Sequence, residues 1–426
     1  MTALELAAAR RVLLLLTATR WLPVGLTVAI VLLRPLEQGL TVTQVLTVSA
    51  VGGVVTIVLE LPTSGFADAF GRRAVLVAAA TANVLAAVLF VLADSWVDFV
   101  SAAVLVGIFR ALDSGPLEAW YVDTVHAHRP GADVDQELSA AGTVIGVSIA
   151  LGALVSGLLV WWAPLDEALD DSPLTLPLAL AAALGALHLA AVVALLREPP
   201  RSATGTRATR LLAGVRAVPA VVGGGLAVVG RSRALRGLLL AEAALSVAMV
   251  GFESMVPLRL AELLGSTDEA GALMGVTAAV GWAVFAGGAA LGGRLSRLLG
   301  VARAAVLTHV LVGLGVLLIG LATGPVGLLV GYLAAYGVFG GVGPLHSSLV
   351  HREADASNRA TVMSLGSLIS FAVFAVAAPT AGLMTDTVSS GAAVLGLGCL
   401  CLLGALAYRP ARAAERERAL SAADAR

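Results

Sequence analysis

The feature that most constrains this chain is a succession of apolar blocks. Each is about 20 residues long, enough to span roughly 30 Å of hydrocarbon as a helix. Twelve can be read, near residues 12–33, 44–64, 74–93, 98–121, 138–162, 175–196, 237–260, 271–293, 304–323, 325–348, 360–384 and 391–408. The thinnest separator is Thr323-Gly324-Pro325, between the ninth and tenth. Blocks this continuously apolar do not alternate as barrel strands do, so each must satisfy its backbone hydrogen bonds as a helix. Composition agrees: 58% of residues are hydrophobic and 13% charged, against a near-quarter charged share in soluble domains. A water-soluble fold of 426 residues could not bury that much apolar surface. The expectation is an all-α integral membrane protein. The first block follows Arg10-Arg11 but is too long for a signal peptide and lacks a small-residue cleavage site, so it reads as an uncleaved helix.

Arginine placement sets the orientation. The chain has no lysine, and with a cytoplasmic N-terminus 23 of its 27 arginines fall in cytoplasmic segments. Arg34 and Arg259 fall at the opposite face, while Arg20 and Arg110 lie within spans. This positive-inside pattern puts both termini in the cytoplasm and requires an even number of spans. Residues 197–236 carry eight arginines and one acid, Glu198, and form the one long connector between two sets of six spans. The expected division is therefore 1–196, an arginine-rich linker 197–236, 237–408, and a cytoplasmic tail 409–426. Part of the linker, 211–229, is apolar enough to lie on the membrane surface, although a plain linker held near anionic lipid is the simpler reading.

Between the second and third blocks the chain reads Gly65-Phe66-Ala67-Asp68-Ala69-Phe70-Gly71-Arg72-Arg73. An acid, two glycines and paired arginines predict a tight charged turn at a membrane surface. Gly65 lets two helix ends approach, and Gly71 permits the positive φ of the turn. After the eighth block, Arg294-Leu-Ser-Arg297-Leu-Leu-Gly300-Val-Ala-Arg303 is a fainter second copy, with Gly300 matching Gly71 and Arg297 standing where Asp68 does.

The spacing G-x-x-x-D-x-x-G-R-R resembles the loop 2–3 signature of the major facilitator superfamily, and the chain is most similar in kind to a bacterial drug-efflux-like group of unassigned substrate. Further motifs carry the resemblance: Arg20-Trp21-Leu22-Pro23-Val24-Gly25, Glu60-Leu61-Pro62-Thr63, and the stretch from Arg110 to Asp123. It covers essentially the whole chain and is strongest over residues 20–123. It implies twelve transmembrane helices in two six-helix halves related by an axis along the membrane normal, the major facilitator fold. It also implies that Gly65, Asp68, Gly71, Arg72 and Arg73 form a cytoplasmic gate, with Asp123 as a further partner. The alternative is that Arg72-Arg73 serve only as topology determinants. The family's drug/proton antiporters often carry G-P-x-x-G-G in helix five. Here Gly142, Gly146, Gly152 and Gly157 occur without the proline, and the eleventh block carries Pro379-Thr-Ala-Gly382.

Charges inside spans are the functional candidates, because each is costly unless it faces a partner or water. Arg110 lies about 12 residues from the outer end of the fourth block, roughly 18 Å deep. Asp113 is one turn further, so the two predict an i, i+3 pair on one helix face. The functional reading makes Asp113 a proton-accepting carboxylate set against Arg110; the other is a permanently ionised structural pair. Resemblance supports Arg110, since family members carry a helix-four arginine linked to proton transfer, although the glycine of R-x-x-x-G falls one position late, at Gly115. Arg20 and Trp21 are substrate candidates, with an interhelical ion pair from Arg20 to Glu60 or Asp113 as the alternative. Glu253 and Glu118 are weaker candidates, Glu118 reading as close to the inner end of its helix. Glu242 is expected to snorkel to water. His188, His309 and His346 read as hydrogen-bonded packing, with His346 also a cavity candidate because helix ten lines the cavity in the family.

Soluble chemistry has no foothold. No H-E-x-x-H occurs, and without lysine there is no phosphate-binding G-x-x-x-x-G-K-[ST] loop. Cys399 and Cys401 sit two apart in the last block and read as inert thiols. The reading is not an enzyme and needs no cofactor or metal, nucleic acid or obligatory protein partner. It is a proton-coupled secondary transporter working by alternating access, whose partners are protons, a small-molecule substrate and the lipid bilayer. Export of hydrophobic or cationic small molecules by antiport leads. The alternatives are proton-linked uptake of a small metabolite and a non-transporting sensor or assembly subunit on the same fold.

Overall fold

The computed structural model describes residues 3–163, 172–198, 219, 223–355 and 358–424. The N-terminal part of the chain forms α1 (Ala3–Val28), α2 (Leu33–Glu37), α3 (Val42–Phe70), α4 (Arg72–Leu92), α5 (Trp96–Leu112), α6 (Pro116–His126), α7 (Asp135–Trp162) and α8 (Thr175–Leu195). The remainder forms α9 (Arg233–Met249), a π-helical turn (Val250–Ser254), α10 (Met255–Leu264), α11 (Thr267–Leu299), α12 (Val301–Leu321), α13 (Pro325–Glu353), α14 (Arg359–Thr387), α15 (Ser390–Gly404) and α16 (Arg409–Asp424). Among the described residues, eleven helices are long and apolar enough to cross a membrane. The fourth expected span falls short only because it is divided into α5 and α6, which brings the count to the twelve of the sequence. The narrow separator before Pro325 holds, since α12 ends at Leu321 and α13 begins at that proline.

One expectation about a boundary is corrected. The polar stretch from Gly65 is not a loop: α3 stays helical to Phe70, and Gly71 alone makes the turn into α4. A helix carries its own backbone hydrogen bonds, so it can leave the apolar layer without unwinding. Gly71 adopts φ 98°, ψ 152° and Gly300 adopts φ 85°, ψ 155°. This backbone region is nearly exclusive to glycine. Each glycine precedes the first residue of the next helix, so the two sequence copies share one turn geometry. The expected interfacial segment 211–229 lies mostly outside the described residues; residues 223–231 are helical.

The chain forms two compact units. One comprises Met1–Leu40, Val51–Val218 and Thr267–Ala279; the other comprises Thr41–Ala50, Pro219–Ser266 and Val280–Arg426. In the first, α1 and α7 touch through glycine: a Cβ on Gly152 would stand 2.8 Å from the Gly25 Cα. In the second, the start of α3 is capped by a side chain from α14. The Asp386 carboxylate accepts from the Val42 N–H at 3.2 Å, the Thr43 N–H at 2.9 Å and the Thr43 hydroxyl at 2.6 Å. It satisfies amides that have no partner within the helix, at the end where the helix dipole favours an anion.

The C-terminal segment is a docked helix. On α16, Glu415 accepts from the Ala302 N–H at 3.1 Å and pairs with Arg352 at 2.9 Å, and Arg418 pairs with Glu353 at 2.5 Å.

Candidate functional site

The fourth span breaks where its charge is. Gly115 takes φ 87°, a left-handed conformation suited to glycine, and Pro116 opens α6 where no intrahelical N–H is needed. Asp113 ends α5, its N–H donating to the Phe109 carbonyl at 2.9 Å. Its carboxylate accepts from Arg20 Nε of α1, and the two side chains are 7% and 12% exposed. The Arg20 guanidinium lies 3.9 Å over the Trp21 ring and 4.9 Å from the Phe109 ring centre, so two aromatic faces share the cation. One guanidinium nitrogen, Nη1, is buried without a hydrogen-bond partner among the described residues.

The expected Arg110–Asp113 pair is therefore corrected: the partner of Asp113 is Arg20, the interhelical ion pair that stood as the alternative for Arg20. Arg110 is exposed, and its charge acts on Glu60 of α3. Glu118 also moves in meaning. Because α6 runs on to His126, Glu118 is the third residue after the break rather than near the inner end, and its charge is felt at Asp113. An acid there complements the N-terminal dipole of α6.

At the Gly71 turn, Arg72 grips Asp123 of α6, with Nη2 at 2.6 Å and Nε at 2.9 Å from the same carboxylate oxygen. Arg73 ties the turn to the end of α8: its N–H donates to Glu198 at 3.0 Å and its guanidinium to the Val193 carbonyl at 2.7 Å. Gly65 and Asp68 lie on the last turns of α3; the Asp68 side chain lies outside the described residues.

In the second unit, Glu253 falls in the π-helical turn, exposed beside buried Phe252. Such turns interrupt the regular ladder and recur at functional sites. Phe252 begins an aromatic cluster, with ring centres 5.2 Å from Phe339 and 5.8 Å from Tyr336. Tyr336 also meets Tyr332 at 5.3 Å, Phe285 at 5.6 Å and Trp282 at 6.1 Å. The charge of Glu253 acts on both tyrosines. His346 is buried against Glu242, Nε2 to Oε2 at 3.1 Å. Glu242, expected to snorkel to water, is 30% exposed and faces α13, about 13 Å along α9 from its start at Arg233. The other two histidines are hydrogen-bonded within the helices, His188 to the Thr19 hydroxyl and His309 to the Cys401 carbonyl, both at 2.9 Å.

The aromatic cluster and the Glu242–His346 contact have no local sequence signal. The repeat could have suggested the contact, because Glu242 and His346 stand on the first and fourth spans of the second set, as Arg20 and Asp113 do in the first. No group of three or more histidine, cysteine or acidic side chains among the described residues could hold a metal ion.

Comparison with known proteins agrees with this geometry. The family model of the Major Facilitator Superfamily matches residues 13–363. No curated protein sequence matches the chain. Among solved structures it is similar to the nucleoside transporter NupG, with a TM-score of 0.72 and 12% identity over 95% of this chain and 98% of that one. It is similar also to a POT family transporter in complex with 5-aminolevulinic acid, with a TM-score of 0.68 and 17% identity over 93% and 94% of the two chains. The D-xylose-proton symporter matches with a TM-score of 0.68 and 16% identity over 95% and 96%. At such identities the structures speak for the fold, and the family model for the kinship. A multi-pass α-helical chain matched over most of its length by that model belongs to the Major Facilitator Superfamily of transporters.

Proposed function

We propose that the chain is a proton-coupled transporter of the bacterial plasma membrane that exports hydrophobic or cationic small molecules by antiport. The observation that carries this reading is the buried Arg20–Asp113 pair at the interruption of the fourth span. A buried ion pair within a span is costly, and broken helices mark transport sites because their freed ends face a cavity. Arginine stays protonated at every physiological pH, so Asp113 is the member whose charge can change. Protonation of Asp113 releases Arg20, which must turn to its aromatic neighbours, to water or to another acid. That exchange biases one conformation over another, which is what coupling requires.

The cargo class is supported by the second unit, where Glu253 stands beside Tyr332 and Tyr336 in a cluster of six aromatic rings. Aromatic faces with a nearby carboxylate attract flat or positively charged organic molecules. In the same scheme the Arg72–Asp123 contact holds the cytoplasmic side closed and parts when that side opens.

The test is acridine-dye dequenching in everted membrane vesicles, wild type against Asp113→Asn, with a panel of lipophilic cations and antibiotics. Dequenching by wild type that is lost in Asp113→Asn is the expected result. The second reading, proton-linked uptake of a small metabolite, is favoured by the fold's likeness to the D-xylose-proton symporter. Silence across the panel together with saturable, pH-driven inward flux of one metabolite would establish it instead.

A further inference from the structure

Two ionisable residues embedded in the second unit, Glu242 and His346, meet at one place. Glu242 Oε2 on α9 lies 3.1 Å from His346 Nε2 on α13. Its other oxygen, Oε1, accepts from the Ser370 hydroxyl on α14 at 2.9 Å. The Ser370 carbonyl in turn accepts from Ser246, one turn along α9 from Glu242, at 2.6 Å. On its far side, His346 Nδ1 lies 3.3 Å from the hydroxyl of Tyr408, a residue with no exposed surface. Glu242, His346, Ser246 and Ser370 all line a cavity of about 180 Å³, whose apolar wall includes Met249 and Phe339. Four helices thus meet at one carboxylate–imidazole contact that borders open space.

We propose that Glu242 and His346 form a second proton-binding site of this transporter, held in the C-terminal unit and filled from that cavity. Its role presupposes the proton coupling proposed above; its geometry does not. A pair with an arginine can change charge at one member only. In a carboxylate–imidazole pair either member can carry the proton, and imidazole is the group whose ordinary pKa lies in the range cells use. With one proton the pair is neutral overall, as anion and cation or as acid and neutral ring. Loss of that proton leaves a lone carboxylate, and gain of another leaves a lone imidazolium. Either change alters the hold on α14, because the Ser370 hydroxyl bonds more strongly to an ionised carboxylate than to a neutral acid. The groups facing His346 are Glu242 from α9 and Tyr408 at the end of the short 3-10 helix Ala405–Tyr408 that joins α15 to α16. Across the Tyr408 ring lies His309 of α12, its ring centre 5.5 Å from the tyrosine, with Cys401 beyond it. The α14 face contributes the hydroxyls of Ser367 and Ser370.

The experiment is infrared difference spectroscopy on the purified full-length protein in detergent, titrated from about pH 8 to 5. The expected result is a protonated-carboxyl band that grows as the pH falls, is absent in Glu242→Gln and persists in Asp113→Asn. His346→Gln should move its midpoint by about one pH unit. Identical spectra for wild type and Glu242→Gln overturn the proposal. Should Glu242→Gln fail to give a monodisperse protein, an unmoved midpoint in His346→Gln overturns it instead. Dye dequenching separates the two ideas. Coupling that survives Glu242→Gln but not Asp113→Asn overturns the second site's part in transport and leaves antiport standing. A titrating Glu242 in a protein that no proton gradient drives upholds the site and removes antiport.

Discussion

The Arg20–Asp113 and Glu242–His346 contacts occupy matching places in the two sets of six spans, each joining the first span to the fourth. Their chemistry differs. Arg20 and Asp113 are 12% and 7% exposed, and the fourth span is broken beside them. Glu242 is 30% exposed beside a cavity, and α13 runs unbroken through His346. In the first contact only Asp113 can change its charge, because arginine stays protonated. A titratable pair next to open space can change its charge without collapse. The same repeat unit has therefore yielded one contact with a single member able to change charge and one with two.

The largest effect should come from orphaning the sealed cation. Asp113→Leu leaves Arg20 buried alone and should cost about 3–5 kcal/mol, with most of the loss recovered in Arg20→Met/Asp113→Leu. Thermal unfolding in detergent measures both, and equal losses in the single and double variants would break the contrast. The two turns come next. Gly71→Ala and Gly300→Ala should each cost about 1–3 kcal/mol, since each forces a side chain into a backbone region reserved for glycine. A clearly smaller cost at one turn would mean that the two copies are not equivalent.

At the second contact, Glu242→Gln retains groups able to bond both Ser370 and His346, and should cost only about 1 kcal/mol. A loss as large as that of Asp113→Leu would show that Glu242 is a fixed ion-pair partner, erasing the distinction between the pairs. The smallest stability effect belongs to Arg72→Gln. Its partner Asp123 is 47% exposed, and pairs so open to solvent contribute roughly 0–1 kcal/mol. Its consequence should instead be a change in the accessibility of single cysteines on the arginine-rich side. Unchanged labelling there would remove Arg72 from any gating role.

Much of this architecture was legible in the chain because a bilayer makes secondary structure a local matter. A run of 20 apolar residues has no other means of satisfying its backbone, so even the three-residue separator before Pro325 was enough to divide two spans. Helix ends were less legible. The polarity of Gly65–Phe70 suggested a loop, yet a helix projecting from the membrane keeps its own hydrogen bonds, and one glycine sufficed for the turn. The break at Asp113 was written in Ser114-Gly115-Pro116, but an apolar average over the block concealed it.

The candidate site was legible in its residue types and only in part in its pairings. Asp113 was one of two partners open to Arg20, while the Glu242–His346 contact had no local signal. That Arg20, Asp113, Glu253 and His346 warranted attention follows from the cost of charge and polarity inside a span. That Asp113 meets Arg20, 93 residues away, and Glu242 meets Ser370, 128 residues away, depends on how helices rotate and cross. The sequence by itself determined the spans, their glycine turns and the short list of embedded charges, since each follows from interactions within a few residues along one helix. Only the tertiary structure decided which charges face each other and which border a cavity. Those outcomes depend on side-chain register across helices, where a rotation of one residue step changes every partner.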